Sequence, residues 1–153
     1  MRPRRICLVV VGSLIVVPLL RTLAQDTPAS RSAVRIAYDL RAAMTENIRS
    51  TQAEDIEAMM HTIHSKSPLY EPTRRQVSQI FGKLKGLQYE LVSLKFLAVD
   101  GEYALARIRQ RTTMTPLKDF RNNEIDMIMV FKQEEGTWRI WNQASLEIKY
   151  LNE

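Results

Sequence analysis

The side chains able to do chemistry fall into three groups. His61 and His64 stand three residues apart, a spacing that puts two imidazoles on neighbouring positions of a helix and could supply two metal ligands. Beyond residue 24 the chain has no other histidine and no cysteine to complete such a site. The pair therefore reads as structural, with His61 toward solvent and His64 flanking an apolar stripe near a helix C-terminus, where partial positive charge is favourable. No metal and no other cofactor is expected. Arg107, Arg109 and Arg111 alternate along a segment of period two, so they share one face of a strand. Such a row could hold an anion, but Glu124 and Asp126 sit on the same face of a neighbouring segment and balance it, which predicts an ion-paired, solvated outer face. The third group is a pair of amides. Gln110 continues the apolar parity of Ala104, Ala106 and Ile108, and Asn142 continues that of Trp138 and Ile140. An amide donates and accepts hydrogen bonds but does not transfer protons near neutral pH, so this pair favours binding over acid–base catalysis; its plain alternative is a satisfied core or rim amide. There is no phosphate-binding glycine loop, no serine nucleophile motif and no metal signature.

These residues need elements to hold them. Ala33, Ile36, Ala37, Leu40, Ala43, Met44 and Ile48 recur at helical spacing and predict a first helix. Thr51-Gln52-Ala53-Glu54 has the form of a capping box that opens a second, with Ala53, Ile56, Met59, Met60 and Ile63 on one face and a stop at Ser67-Pro68. A third starts near Pro72, buries Val77, Ile80, Phe81 and Leu84, and is closed by Gly86. From Leu87 the period changes to two. Gln88–Val99 is the first strand. Its apolar parity slips between Tyr89 and Leu91 on one side and Val92, Leu94 and Phe96 on the other, which predicts a β-bulge near Val92-Ser93. Asp100-Gly101 turns it into a second strand, Glu102–Met114. A third, Glu124–Lys132, and a fourth, Thr137–Tyr150, flank the turn Glu134-Glu135-Gly136. Three helices followed by a four-stranded antiparallel meander make an α+β domain with the helices on one face of the sheet. Trp141, on the outer parity among polar neighbours, suggests a contact surface, such as a homodimer through the sheet, with Arg109 a second interface candidate; the alternative is that a loop or the chain end covers the ring.

The charge and the cysteine trace to the first 24 residues. Arg2, Arg4 and Arg5 precede Ile6–Leu20, fifteen residues without a charge, and Thr22-Leu23-Ala24 offers small residues where a signal peptidase reads. This is the order of a cleavable signal peptide, with Gln25 the new N-terminus. An uncleaved anchor, which would put the chain on a membrane, needs roughly 20 apolar residues, and this run is shorter and contains Gly12 and Pro18. The chain's net charge of +5 includes four arginines of this leader; without them 18 basic residues face 17 acidic ones. A near-neutral domain lacks the footprint of a nucleic-acid binder. The sole cysteine, Cys7, also lies in the leader, so no disulfide or thiol chemistry is left to the rest. The expected organisation is a signal peptide 1–24, a polar linker 25–32 and one domain 33–153, exported to the periplasm or beyond.

The order of elements over Val34 to Tyr150 resembles the nuclear transport factor 2-like superfamily, which includes the SnoaL-like polyketide cyclases and ketosteroid isomerase. The most telling stretches are Val34–Met44 leading into Asp55-Ile56-Glu57-Ala58-Met59-Met60, and Phe131–Ile140 with Gly136, Trp138 and Ile140. The resemblance implies a curved, cystatin-like sheet wrapped around helices as a cone with an apolar pocket, binding of a small apolar ligand, and dimerisation; some members are enzymes. Within it, Gln110, Asn142 and Tyr89 are the pocket candidates, and no catalytic residue is assigned. Asp126 is the closest analogue of the isomerase's strand carboxylate, but its parity sends it to solvent. Tyr38, about 160° from Leu40 at about 100° per residue, lies away from the core stripe. The expected function is a non-catalytic ligand-binding or self-association module. The alternative is a cyclase, isomerase or hydratase-type enzyme, and a third reading is a purely structural partner-binding module.

Overall fold

A computed structural model describes residues 28–82, 86–114 and 120–151. The order is α1 Pro28–Gln52, α2 Ile56–His61, α3 Tyr70–Ile80, then β1 Leu87–Asp100, β2 Tyr103–Met114, β3 Asn123–Glu134 and β4 Thr137–Tyr150. The strands form one antiparallel sheet in the order β1-β2-β3-β4. This is the expected α+β meander. The leader 1–24 and Leu84 of the predicted third-helix stripe lie outside the described residues.

The helices differ from the sequence reading at their ends. α1 begins at Pro28, inside the stretch expected to be linker; a proline lacks the N–H that goes unused in a first turn and suits that position. At its other end α1 runs through the proposed capping box, because Thr51 Oγ1 turns back to donate to Asn47 O (2.7 Å) instead of capping forward. Asp55 caps α2, its carboxylate accepting from Ala58 N at 2.9 Å. Glu54 takes a left-handed φ of 55° in the joint between the two helices. α2 stops at His61, well before Ser67-Pro68. α3 ends at Ile80, where Phe81 is extended and Gly82 takes φ 79°, so Gly82 and not Gly86 closes it. Its stripe residues Val77, Ile80 and Phe81 are only half-buried.

One face of the sheet and the helices enclose the core. Leu40 and Met44 of α1, Met59, Met60 and Ile63 of the α2 region, Ala104, Ala106 and Ile108 of β2, Met127, Met129 and Phe131 of β3, and Trp138 and Ile140 of β4 form one buried cluster. Ala104 and Ala106, both fully buried, are small enough to leave room for the long methionines and Phe131 around them. The predicted bulge in β1 is present as a register shift between Leu91 and Ser93; it brings Tyr89, Leu91, Leu94 and Phe96 opposite the core-parity residues Thr112, Gln110, Ile108 and Ala106. A second shift follows Phe96. The β3–β4 turn carries Glu135 and Gly136 at φ 53° and 77°, the two left-handed positions that match the sheet's twist.

The middle of the cone is therefore filled. Phe131, Leu40, Met44, Met60 and Ile108 are each less than 2% exposed. Among the described residues no helix is long and apolar enough to cross a membrane.

Candidate functional site

A sizeable cavity among the described residues lies outside that core. It is an open groove of about 690 Å³ between α1, α2 and the start of β4. Ala42 and Ala43 of α1 and Ala58 of α2, with Trp138 of β4, give it an apolar floor. Asp39 and Glu46 bring carboxylates, and Arg35 and Arg139 bring guanidinia. Thr62, buried at one wall, accepts from Asn47 Nδ2 at 2.7 Å and donates to Met59 O at 2.7 Å, which ties α1 to the end of α2 and fixes the width between them. Arg49 pairs with Glu46 at 2.6 Å; this hydrogen bond holds the Glu46 carboxyl below its usual range. One terminal nitrogen of Arg139 forms an ion pair with Glu134 at 3.1 Å, while its Nε–H is buried with no hydrogen-bond partner among the described residues.

The groove contains none of the predicted pocket residues. Gln110 is half-buried on the core parity, as expected, at the end of the sheet remote from the groove. Tyr89 is half-buried and lines a small pocket of about 120 Å³ with Thr51, Gln52 and Phe81. Burial pushes its phenol pKa up, which keeps it protonated at neutral pH. Asn142 does not face inward. A register shift between the pairs Val130↔Asn142 and Phe131↔Ile140 puts it on the outer parity, exposed, where its side chain accepts from Gln143 N at 2.8 Å. One extra residue in β4 flips the side chains beyond it until a second shift, between the pairs Met127↔Ser145 and Asp126↔Glu147, restores the parity; uninterrupted alternation could not show that. The inward positions just past the bulge are Gln143 and Ser145, opposite Met129 and Met127.

On the outer face the ion pairing follows the sequence reading, but Asp126, expected in solvent, is buried at 7% exposure. Asp126 points away from the core and is gripped by Arg107, Nε to Oδ1 at 2.9 Å and the terminal nitrogen to Oδ2 at 2.6 Å; this fork holds the Asp126 carboxyl below the usual range. Arg109 approaches Glu124 at 3.4 Å, and Arg111 bridges Glu124 at 3.1 Å and Glu90 at 3.0 Å. Tyr38 is 73% exposed, away from the core as read.

The two histidines separate. His61 is exposed on the groove wall, whereas His64 is buried in the loop after α2. That loop adds to the edge of β4: Ile140 N donates to Thr62 O (2.8 Å), His64 N to Ile140 O (2.9 Å) and Ser67 Oγ to Trp141 O (2.7 Å). Trp141 is consequently half-buried, met edge-on by His64 at 5.0 Å and by Tyr103 at 6.1 Å, with Lys132 Nζ 4.5 Å from its ring. A loop thus covers this ring, the alternative to a contact surface. Glu134 pins the loop by accepting from the Ser65 hydroxyl and amide. Burial works to raise the Glu134 pKa, but Ser65, His64 and Arg139 outweigh it and hold the carboxyl below its usual range.

Residues 42–151 match the family described as the anti-sigma-I factor RsgI9, C-terminal domain. The chain belongs to that family. Its fold is nuclear transport factor 2-like, as the solved structures it resembles make plain. A nuclear transport factor 2-like protein of unknown function from Pseudomonas putida superimposes with a TM-score of 0.61 at 14% identity, over 73% of this chain and 86% of that one. An uncharacterised protein with a cystatin-like fold from Caulobacter vibrioides gives 0.58 at 11%, over 74% and 88%. A hexachlorocyclohexane dehydrochlorinase gives 0.51 at 10%, over 82% and 94%. No curated protein matches the chain by sequence. The fold thus houses both an enzyme and proteins of unknown role, and only the site can choose between them.

The groove residues Arg35, Asp39, Glu46 and Arg139 were not singled out in the sequence. The available signal was the small-residue pair Ala42-Ala43 beside Ala58, which leaves space between two helices where larger residues would close it.

Proposed function

We propose that this chain is an exported, non-catalytic binding module whose ligand lies in the groove between α1, α2 and β4. The observation that carries the reading is where space remains: the cone interior is packed with Phe131, Leu40, Met44, Met60 and Ile108, while about 690 Å³ stays open beside it. A volume in the range of small-molecule sites with an apolar floor and polar walls suits a ligand with an apolar body and charged or hydrogen-bonding ends. This is more polar than the apolar ligand expected from the sequence. Against catalysis, the core parity of the strands carries amides (Gln110, Asn123, Gln133, Gln143), hydroxyls (Tyr89, Thr112, Ser145, Tyr150) and apolar residues, without a carboxylate or imidazole to move a proton inside the cone. Membership of a family built on an anti-sigma factor's C-terminal domain agrees with recognition as the task. Export rests on the leader.

The test uses 1-anilinonaphthalene-8-sulfonate, an apolar ring system with one anionic group, as the probe. Ala42 is exposed on the groove wall, so Ala42→Trp fills the groove without entering the core. The native chain is expected to bind the dye, and the variant to bind it at least about tenfold more weakly with an unchanged melting temperature. Equal binding by both proteins would refute the groove as the site.

A further inference from the structure

The β3–β4 hairpin fixes which way each main-chain group at the start of β4 points. Glu135 and Gly136 form its two-residue turn, so Glu134 and Thr137 exchange main-chain bonds. Alternation then turns the N–H and C=O of Arg139 toward β3 and those of Trp138 and Ile140 toward the outer edge, and the register is unbroken from Thr137 to Ile140. Gln133, opposite Trp138, agrees by donating away from β4 to Glu102 O at 2.9 Å. At Ile140 the outer edge is filled: its N–H donates to Thr62 O at 2.8 Å and its C=O accepts from His64 N at 2.9 Å. At Trp138 it is open. The residues that would continue the pairing belong to α2, which is helical up to His61, and no hydrogen bond reaches Trp138 N or O from that side among the described residues. The indole is part of the core, and the whole residue is 6% exposed. A buried main-chain donor and acceptor are almost always paired, so this pair calls for a partner.

We propose that the ligand of the groove is an extended peptide, which pairs its main chain with Trp138 as an added strand. The proposal rests on the groove reading and narrows it. Gly136, Thr137, Trp138 and Arg139 follow one another along one wall, so the groove runs beside this edge. Its facing wall, Ala58, His61 and Thr62, stands on the same side, since Thr62 O holds Ile140 N. Trp138 thus offers the groove a donor and an acceptor at the spacing of a β ladder, and one residue of an extended peptide, with its neighbours, matches both. Along α1 the lining runs from Arg35 to Glu46, about 16 Å at about 1.5 Å per residue, which is the length of about five extended residues.

The helical wall indicates which side chains such a peptide carries. Arg35 and Asp39 are one turn apart on α1, about 6 Å along its axis, and neither forms an ion pair among the described residues. Residues i and i+2 of an extended peptide share a face at about 6.6 Å. A glutamate and a lysine in those two places meet Arg35 and Asp39 together. Ala42, Ala43 and Ala58 are small enough to let the peptide main chain approach the floor.

Amide hydrogen exchange of the full chain tests the open edge first. Without peptide, Trp138 N–H is expected to exchange at least about tenfold faster than Ile140 N–H. Equal protection of the two would mean that the edge is already filled and would overturn the proposal. The probes are acetyl-Ala-Glu-Ala-Lys-Ala-amide and acetyl-Ala-Lys-Ala-Glu-Ala-amide, one for each strand direction. One of them is expected to displace 1-anilinonaphthalene-8-sulfonate and to slow exchange at Trp138 by at least about tenfold. Its fully N-methylated twin, with the same side chains and no N–H donor, should do neither. Dye that binds but is displaced by neither peptide, dye displaced equally well by the N-methylated twin, or displacement without protection of Trp138 would each overturn the peptide and leave the groove reading standing. Dye that does not bind at all would refute the groove, and the peptide proposal with it.

Discussion

Glu134 shows how one carboxylate can hold a fold together locally. It accepts from Ser65, stands 3.7 Å from His64 Nδ1 and pairs with Arg139, so it links the post-α2 loop to the β3–β4 hairpin and to the wall of the groove. Nδ1 of His64 already accepts from Lys66 N at 3.1 Å, so the 3.7 Å approach is a contact and not the main attachment. Glu134→Ala is expected to destabilise the chain by about 1 kcal/mol, a value kept low because the group is partly solvated. It should also free the loop over Trp141, seen as a red shift of that tryptophan's emission in a Trp138→Phe background. Acid acts on the same groups. Glu134 and Asp126 both have native pKa values lowered relative to the unfolded chain, so the native state holds fewer protons as the pH falls through that interval. Their contribution is complete above the unfolded carboxylate value of about 4 and is lost as the pH drops through the lowered native values. Denaturant midpoints measured from about pH 6 down to about pH 2 are expected to fall below about pH 4, and Glu134→Gln combined with Asp126→Asn should flatten that fall.

Between residue and molecule, the strands were more legible than the helix ends. Strand period, the bulge near Val92-Ser93 and both hairpin turns follow from side-chain alternation and turn chemistry, which act over a few residues. Asn142 escaped because a bulge in β4 leaves no mark when the flanking residues, Trp141 to Ala144, mix polar and apolar types. The α1–α2 joint escaped for another reason. Thr51 and Glu54 have the spacing of a capping box, but Thr51 found its partner one turn back, and the next residue able to cap was Asp55. This distinction can be measured. Asp55→Ala is expected to cost about 1 kcal/mol through loss of the α2 cap, and Thr51→Ala much less, because its hydroxyl satisfies no free N–H. Urea denaturation of the two variants against the native chain checks the order; equal losses would restore the capping-box reading.

At the scale of the whole molecule, the fold class was legible because the change from helical to two-residue periodicity near Leu87 divides the chain once. The site was not. A cone implies a pocket, yet whether it is empty depends on the summed volume of side chains from several elements, and here the methionines and Phe131 fill it. The space is displaced to the flank of α1, where alanines stand. Export is a claim about the whole chain too: mass spectrometry of protein recovered from outside the cytoplasm is expected to give an N-terminus at Gln25, and one at Met1 would reject cleavage. The proposed function stands or falls on whether ligand enters the groove and not the cone. Methyl spectra of protein labelled at methionine and alanine, recorded during titration with 1-anilinonaphthalene-8-sulfonate, separate the two. Shifts are expected at Ala42, Ala43 and Ala58, with Met44, Met127 and Met129 unmoved. Shifts at those core methionines with the groove alanines unchanged would place the ligand in the cone and refute the groove.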